Sequence, residues 1–221
     1  MVAVSAYYQS ERPEVVSLVA PAGRRILEIG CAAGVMGARM LREGAREVVG
    51  VELHPGAAAE ARTRLSAVHE VDLETLQELP YPDGHFDCIT YADVLEHLRD
   101  PQAVVTRLRR YIAPGGDIVC SIPNVRHESV LLPLLVGGTF TYQDEGILDR
   151  THLRFFTALE ILAFIGRAGF AMTGELRVNR SPPSRVMDTV AALVRSLGGD
   201  ERRFREEATI IQYVFKARPV A

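Results

Sequence analysis

The sequence predicts an α/β fold, a mostly parallel sheet with helices on both faces, and three observations carry that expectation. Apolar runs of strand length alternate with helix-like segments from Arg24 to Asn124. The first apolar run, RRILEIG, enters a turn of small residues. The second, EVVGVE, brings a carboxylate, Glu52, to its carboxyl end. In a βαβ series the ligand crevice lies along the carboxyl ends of the strands, which puts turn and carboxylate on one rim.

Each element follows from its local pattern. Ile26, Leu27 and Ile29 form the first strand, and Gly30, Ala32, Ala33 and Gly34 let the backbone come close to a ligand before a helix starts. After Glu52, HPGAAAEARTRL places Pro55 at a helix start, and AVHEVD reads as a third short strand ending at Asp72. Phe86 to Tyr91 forms a fourth strand. A helix follows from about Pro101 to Ile112, with Val104, Val105, Leu108 and Ile112 on one face. Pro114, Gly115 and Gly116 then turn the chain into a fifth strand, DIVCSIPN. Between Arg126 and Phe156 the alternation breaks: SVLLPLLVGG is an apolar helix-like piece broken by Pro133 and closed by Gly137 and Gly138, and TFTYQDEGILDR is a polar loop with aromatic insertions. Long insertions of this kind commonly form lids, so acceptor selection is expected here. A helix over Leu159 to Ala168 and a last strand, TIIQYVFKA, complete the reading.

Composition removes several classes of protein. A chain of 221 residues, 48% apolar and without repeats, buries one sizeable core, and the whole of 1–221 is expected to be a single domain. No run approaches the ~18 to 20 apolar residues of a membrane span, and the first residues lack a signal peptide's apolar core. A cytoplasmic protein without a membrane span is expected. Cys31, Cys88 and Cys120 lack metal-ligand spacing and are expected as buried thiols. A net charge of −3 argues against a general polyanion-binding surface, so nucleic acid is not an expected partner. Lys216 is the only lysine, so the Tyr-x-x-x-Lys pair of short-chain dehydrogenases is absent.

The turn separates two kinds of adenosine cofactor. A pyrophosphate site wants GxGxxG, with two phosphates facing the helix amino terminus. Here Gly30 to Gly37 reads GxxxGxxG, a poor fit. Read from Glu28 instead, Glu28, Gly30, Ala32 and Gly34 resemble the ExGxGxG signature of class I S-adenosylmethionine (SAM) methyltransferases, with alanine at the middle glycine. A close-packed turn accepts that alanine if its φ is negative. The resemblance extends through LPYPDGHFDCITYADVLEHLRDP and the PGG of LRRYIAPGGDIVCSIPN, four ordered motifs over Arg24 to Asn124. LDRTHLRFFT is similar to a subgroup of small bacterial members linked to glycan or secondary-metabolite pathways.

That resemblance implies a Rossmann-like seven-stranded sheet of order 3-2-1-4-5-7-6, with strand seven antiparallel, and a function: transfer of a methyl group from SAM, leaving S-adenosyl-L-homocysteine (SAH). The acceptor is expected to be an oxygen or nitrogen of a small molecule, a sugar or secondary metabolite among them. It also implies roles. Gly30, Cys31, Ala32 and Gly34 let the methionine part pass, with Glu28 near its amino acid end. Glu52, followed by Leu53, holds the ribose; Asp72 and Leu73 bracket the adenine; Tyr91 and Ala92 line the crevice near the sulfonium. Tyr8 and Arg12 close over the cofactor, Arg12 pairing with its carboxylate. An acceptor arriving as a hydroxyl needs a base, and His152, His127 and His97 are the candidates because imidazole titrates near neutral pH. Asp93, Glu96 and His97 with a later histidine also resemble a divalent-metal constellation of small-RNA methyltransferases. LEHL equally caps a helix in metal-free members, and no metal ligand is assigned. An NAD-dependent oxidoreductase and a noncatalytic SAM-binding scaffold are the alternatives. The arginines between Arg180 and Arg205 can greet an anion, although Asp188, Asp200 and Glu201 offset them.

Overall fold

The computed structural model describes residues 10–182 and 184–220. Seven strands, β1 (Arg25–Ile29), β2 (Glu47–Glu52), β3 (Ala67–Glu70), β4 (Phe86–Ala92), β5 (Ile112–Pro123), β6 (Phe170–Arg180) and β7 (Ile210–Pro219), form one sheet of order β3-β2-β1-β4-β5-β7-β6. The pairs from β3 to β5 are parallel, and β7 runs antiparallel between β5 and β6. The expected order holds throughout.

Strand parity sorts the core into two layers, because successive side chains point to opposite faces. Ile26, Val48, Cys88, Val119 and Val214 face α1 (Pro13–Val19), α2 (Val35–Arg42) and α3 (Pro55–Ala61), meeting Val15, Met36, Met40 and Ala61. Leu27, Val49, Ile89, Ile118 and Phe215 face α4 (Pro101–Leu108) and α6 (Ala158–Arg167), meeting Val104, Leu108, Ile161 and Phe164. Strands buried on both faces need unbroken apolar runs, which is why β1, β2 and β4 read as they do. The three cysteines are free and buried, as expected.

Three boundaries differ from expectation. Helix α4 ends at Leu108, and β5 begins at Ile112, so Pro114 to Gly116 lie inside the strand beside a register shift opposite Phe86 and Cys88. Gly115, at φ +78°, makes that irregularity possible. Strand β3 stops at Glu70, two residues before Asp72. Helix α5 (Glu128–Gly137) continues through Pro133 in its middle, at the cost of one backbone donor, and it closes on Gly138 at φ +63°. Helix α5 packs Leu131 and Leu132 against Met187, Ala191 and Phe204 of α7 (Arg185–Ser196) and α8 (Glu201–Ala208). The arginines of this region are largely matched: Arg195 and Arg205 pair with Glu201, Arg203 with Glu207 and Arg205 with Asp188. Among the described residues, no helix is long and apolar enough to cross a membrane.

Candidate functional site

The turn after β1 is held from two sides. Gly30 and Cys31 donate to the Val51 carbonyl at 2.8 and 3.1 Å, and Gly34 closes back on Cys31 at 2.7 Å. Gly30, Ala32 and Gly34 have φ of +65°, +46° and +75°. Ala32 therefore contradicts the negative φ expected of it. The position demands what a glycine supplies, and the alanine holds a conformation costing roughly 1–2 kcal/mol for an L-residue. A Cβ on Gly30 would lie 2.6 Å from Val94 Cγ2, so the segment after β4 packs directly on this turn.

Glu52, at the end of β2, fixes the left-handed residue. Its Oε2 accepts from the Ala32 amide at 2.9 Å and its Oε1 from the His54 amide at 2.8 Å. A carboxylate offers about four lone-pair sites, so two remain for a ligand. Leu53 beside it is 65% exposed. On the neighbouring rim Asp72 Oδ1 accepts from the Glu74 amide at 2.8 Å, and the Leu73 carbonyl takes Arg107 at 2.6 Å. Glu52 and Glu70 are register partners, so Glu52, Leu53, Asp72 and Leu73 share one stretch of rim.

Glu28 lies deeper than expected. It is buried beneath α2, its Oε2 has no hydrogen-bond partner among the described residues, and a side chain at Gly37 would collide with it. Burial, reinforced by Glu52 and opposed by the Gly37 backbone, pushes its carboxyl up to about 8. Glu28 thus sits under α2 at Gly37.

Two expected contacts are corrected. The Tyr91 ring cannot line the crevice, because strand parity turns it into the α4/α6 core, where it is fully buried. Half-buried Ala92 packs toward the other layer. Arg12 does not face outward for a cofactor carboxylate: its guanidinium pairs with Asp93, Glu14 (2.7 Å), Ser121 Oγ (3.0 Å) and Gln212 Oε1 (3.1 Å). Asp93, at φ +55°, also accepts from Ser121 Oγ and Gln212 Nε2, each at 2.5 Å. This knot ties the start of α1 to β4, β5 and β7, and sequence reading missed Asp93, Ser121 and Gln212 in it. The one available signal was a polar residue directly after an apolar strand. Tyr8 lies outside the described residues.

The three candidate histidines separate into two groups. His127 caps α5, its Nδ1 2.8 Å from Ser129 Oγ and its Nε2 2.9 Å from Ser181 Oγ. Both ring nitrogens are thus engaged. His97 and His152 instead meet edge to face, 4.7 Å between centroids, beside Glu96. The insertion is registered there because the Leu153 and Arg154 amides donate to the Glu96 carbonyl at 2.8 and 3.0 Å. Burial, with His152 adding to it, lowers the His97 pKa; burial also lowers that of His127. Phe155 stacks against Phe140, Tyr142 and His152 at centroid distances of 5.5 to 6.4 Å.

A sheet of this order, with a glycine-type turn packed on the segment after β4 and a carboxylate fixed at the end of β2, defines the class as a SAM-dependent methyltransferase fold. The family described as "Methyltransferase domain" matches residues 5–175, and the chain belongs to it. It is 32% identical over 71% of its length to a probable S-adenosylmethionine-dependent methyltransferase of Mycolicibacterium smegmatis, of which the match covers 56%. It is 30% identical over 73% of its length to a ubiquinone biosynthesis O-methyltransferase of Psychrobacter arcticus, of which the match covers 64%. The chain thus spans between about half and two thirds of these relatives. Among solved structures, a SAM-dependent methyltransferase from Mesorhizobium loti superposes with a TM-score of 0.62 at 20% identity, covering 94% of this chain and 97% of that one. The [4+2]-cyclase SpnF also superposes at 0.62, with 22% identity over 96% and 86%. At such identities the likeness is one of fold, and it spans different chemistries.

Proposed function

We propose that this methyltransferase binds SAM over the turn Gly30–Gly34 and transfers its methyl group to an oxygen or nitrogen of a small molecule, a sugar or secondary metabolite among them. The observation that carries the donor site is Glu52: two amides fix its carboxylate and two lone-pair sites stay open, a fit to a ribose diol. Leu53 and Leu73 supply apolar surface for the adenine and Asp72 an acceptor for its amine. When bound, SAM supplies an activated methyl group on a sulfonium.

The residues of the chain then orient the acceptor and take its proton. Positioning alone can supply roughly 7 to 11 kcal/mol of barrier reduction. Val94, which packs on the turn, precedes His97 by three residues, and the chain just after His152 docks on the Glu96 carbonyl; in this reading either imidazole accepts the proton of a hydroxyl acceptor. His127, engaged by two serines, is the weaker candidate. Residues 126–156 select the acceptor through the Phe140, Tyr142 and Phe155 cluster, and the name of the Psychrobacter relative favours oxygen as the receiving atom.

Calorimetry with SAH and NAD tests the donor site: SAH binds and NAD does not. Tight NAD binding without SAH binding would overturn the reading. Labelled SAM incubated with a metabolite extract then identifies the acceptor; a protein that binds SAH and labels nothing would be a scaffold.

A further inference from the structure

Glu96 is a buried carboxylate that stands out among the described residues. It is 1% exposed, and neither carboxylate oxygen has a hydrogen-bond partner among the described residues. Its charged neighbours are committed elsewhere: Asp93 to Arg12, Ser121 and Gln212, and Asp149 to the Thr151 amide and hydroxyl at 2.7 and 2.6 Å. An ionised carboxylate in such a place needs a cation.

The two imidazoles beside it are prepared to share one. His152 Nδ1 lies 3.0 Å from the Ile147 carbonyl, which only accepts, so Nδ1 carries the proton and Nε2 the lone pair. His97 Nδ1 lies 3.3 Å from the Thr151 carbonyl and 3.1 Å from its Oγ1, whose hydrogen is given to Asp149. His97 is thereby fixed in the same tautomer, with a free Nε2. Fixing one ring nitrogen on a carbonyl is how proteins orient a ligating histidine and raise its basicity. Glu96, His97 and His152 each offer one ligand atom, all within 4.8 Å of one another.

We propose that Glu96, His97 and His152 bind one divalent transition-metal ion, of the zinc, cobalt or manganese class, at the carboxyl end of β4. Two nitrogens and one oxygen disfavour magnesium and calcium, which prefer all-oxygen shells. Three protein ligands leave at least one coordination position for water or an acceptor oxygen. His97 and His152 then serve as ligands instead of bases, and the ion makes a bound acceptor hydroxyl more acidic, so that its proton passes to solvent water.

The test is calorimetric titration of chelator-treated protein with Zn²⁺, Co²⁺ and Mn²⁺, with the Co²⁺ visible spectrum as a signature of nitrogen ligation. One ion per chain is expected. Glu96→Gln should weaken binding on the order of 100-fold while the melting curve stays cooperative, and Thr151→Val, which removes the hydroxyl partner of His97 Nδ1 and leaves only the 3.3 Å contact with the carbonyl, by at most about 10-fold. His97→Gln, at a partly exposed site, gives a second readout if Glu96→Gln does not fold. No stoichiometric binding by the unaltered protein, or unchanged affinity in the Glu96 or His97 variants, overturns the proposal. SAH titrated into metal-free protein keeps the two readings apart: ion binding without SAH binding defeats the donor site alone, and the converse defeats this one alone.

Discussion

The turn after β1 and the insertion after β5 lie at the same edge of the sheet and are built in opposite ways. Between Ile29 and Val35 backbone amides, a fixed carboxylate and left-handed residues leave little room for substitution. Between Pro133 and Gly146 every residue is exposed, including Leu134, Leu135, Val136 and Tyr142, and the segment is anchored by Ile147, Leu148 and the Glu96 carbonyl beyond it. Under the proposed function, a shared donor calls for a rigid cradle, whereas acceptor choice calls for a surface whose side chains change without unsettling the core. The contrast predicts where substitutions are felt.

The largest effect should come from Gly30→Ala, which adds a positive-φ penalty to a collision with the stiff Val94 side chain. A loss of roughly 2–4 kcal/mol in urea unfolding, with SAH binding abolished, is expected. A loss below about 1 kcal/mol would show that the turn is as pliable as the insertion. Next, Glu52→Gln should lower SAH affinity at least tenfold, about 1.4 kcal/mol, since a neutral amide is a poorer acceptor. Calorimetry reads this directly; equal affinity would remove Glu52 from the donor site.

Glu28 sharpens the contrast through pH. Its folded carboxyl titrates near 8, well above an unfolded glutamate. Between those values the folded state keeps a proton that the unfolded state has lost, so its contribution is full at low pH and declines as pH rises toward 8. The slope is at most about 1.4 kcal/mol per pH unit. Glu28→Gln should flatten the stability profile from pH 5 to 8, and a parallel profile would refute the assignment. Ala32→Gly, which relieves left-handed strain but adds unfolded-state entropy, should stabilise by about 0.5–1 kcal/mol in thermal melts. Smallest of all, Val136→Ser should leave stability within about 0.5 kcal/mol and SAH affinity unchanged while raising the acceptor KM. A folding defect there would erase the distinction.

Sequence patterns revealed the sheet because its central strands are apolar on both faces, and the periodicity of the helices followed. They also placed the turn and Glu52 together, since both sit at strand ends. They did not show that Tyr91 points inward, because a strand apolar on both sides does not say which face meets the crevice. Arg12 and Asp93 are 81 positions apart, and nothing local announces their pairing. Ala32 misled for a different reason: its letter suggested an ordinary turn, whereas the amide it gives to Glu52 requires a left-handed one. His97 and His152 were singled out as candidate bases, but their gathering around Glu96 depends on the docking of Leu153 and Arg154.

The placement of β7 between β5 and β6 bears on synthesis. β6 is complete when Arg180 has been made, yet its partner does not begin until Ile210. A chain emerging from the ribosome therefore holds β6 with no pairing partner and leaves β5 as an open edge until α7 and α8 have followed. Such an edge is an invitation to intermolecular pairing. The last strand acts as a late clasp, and chaperone demand should peak in the interval before it arrives.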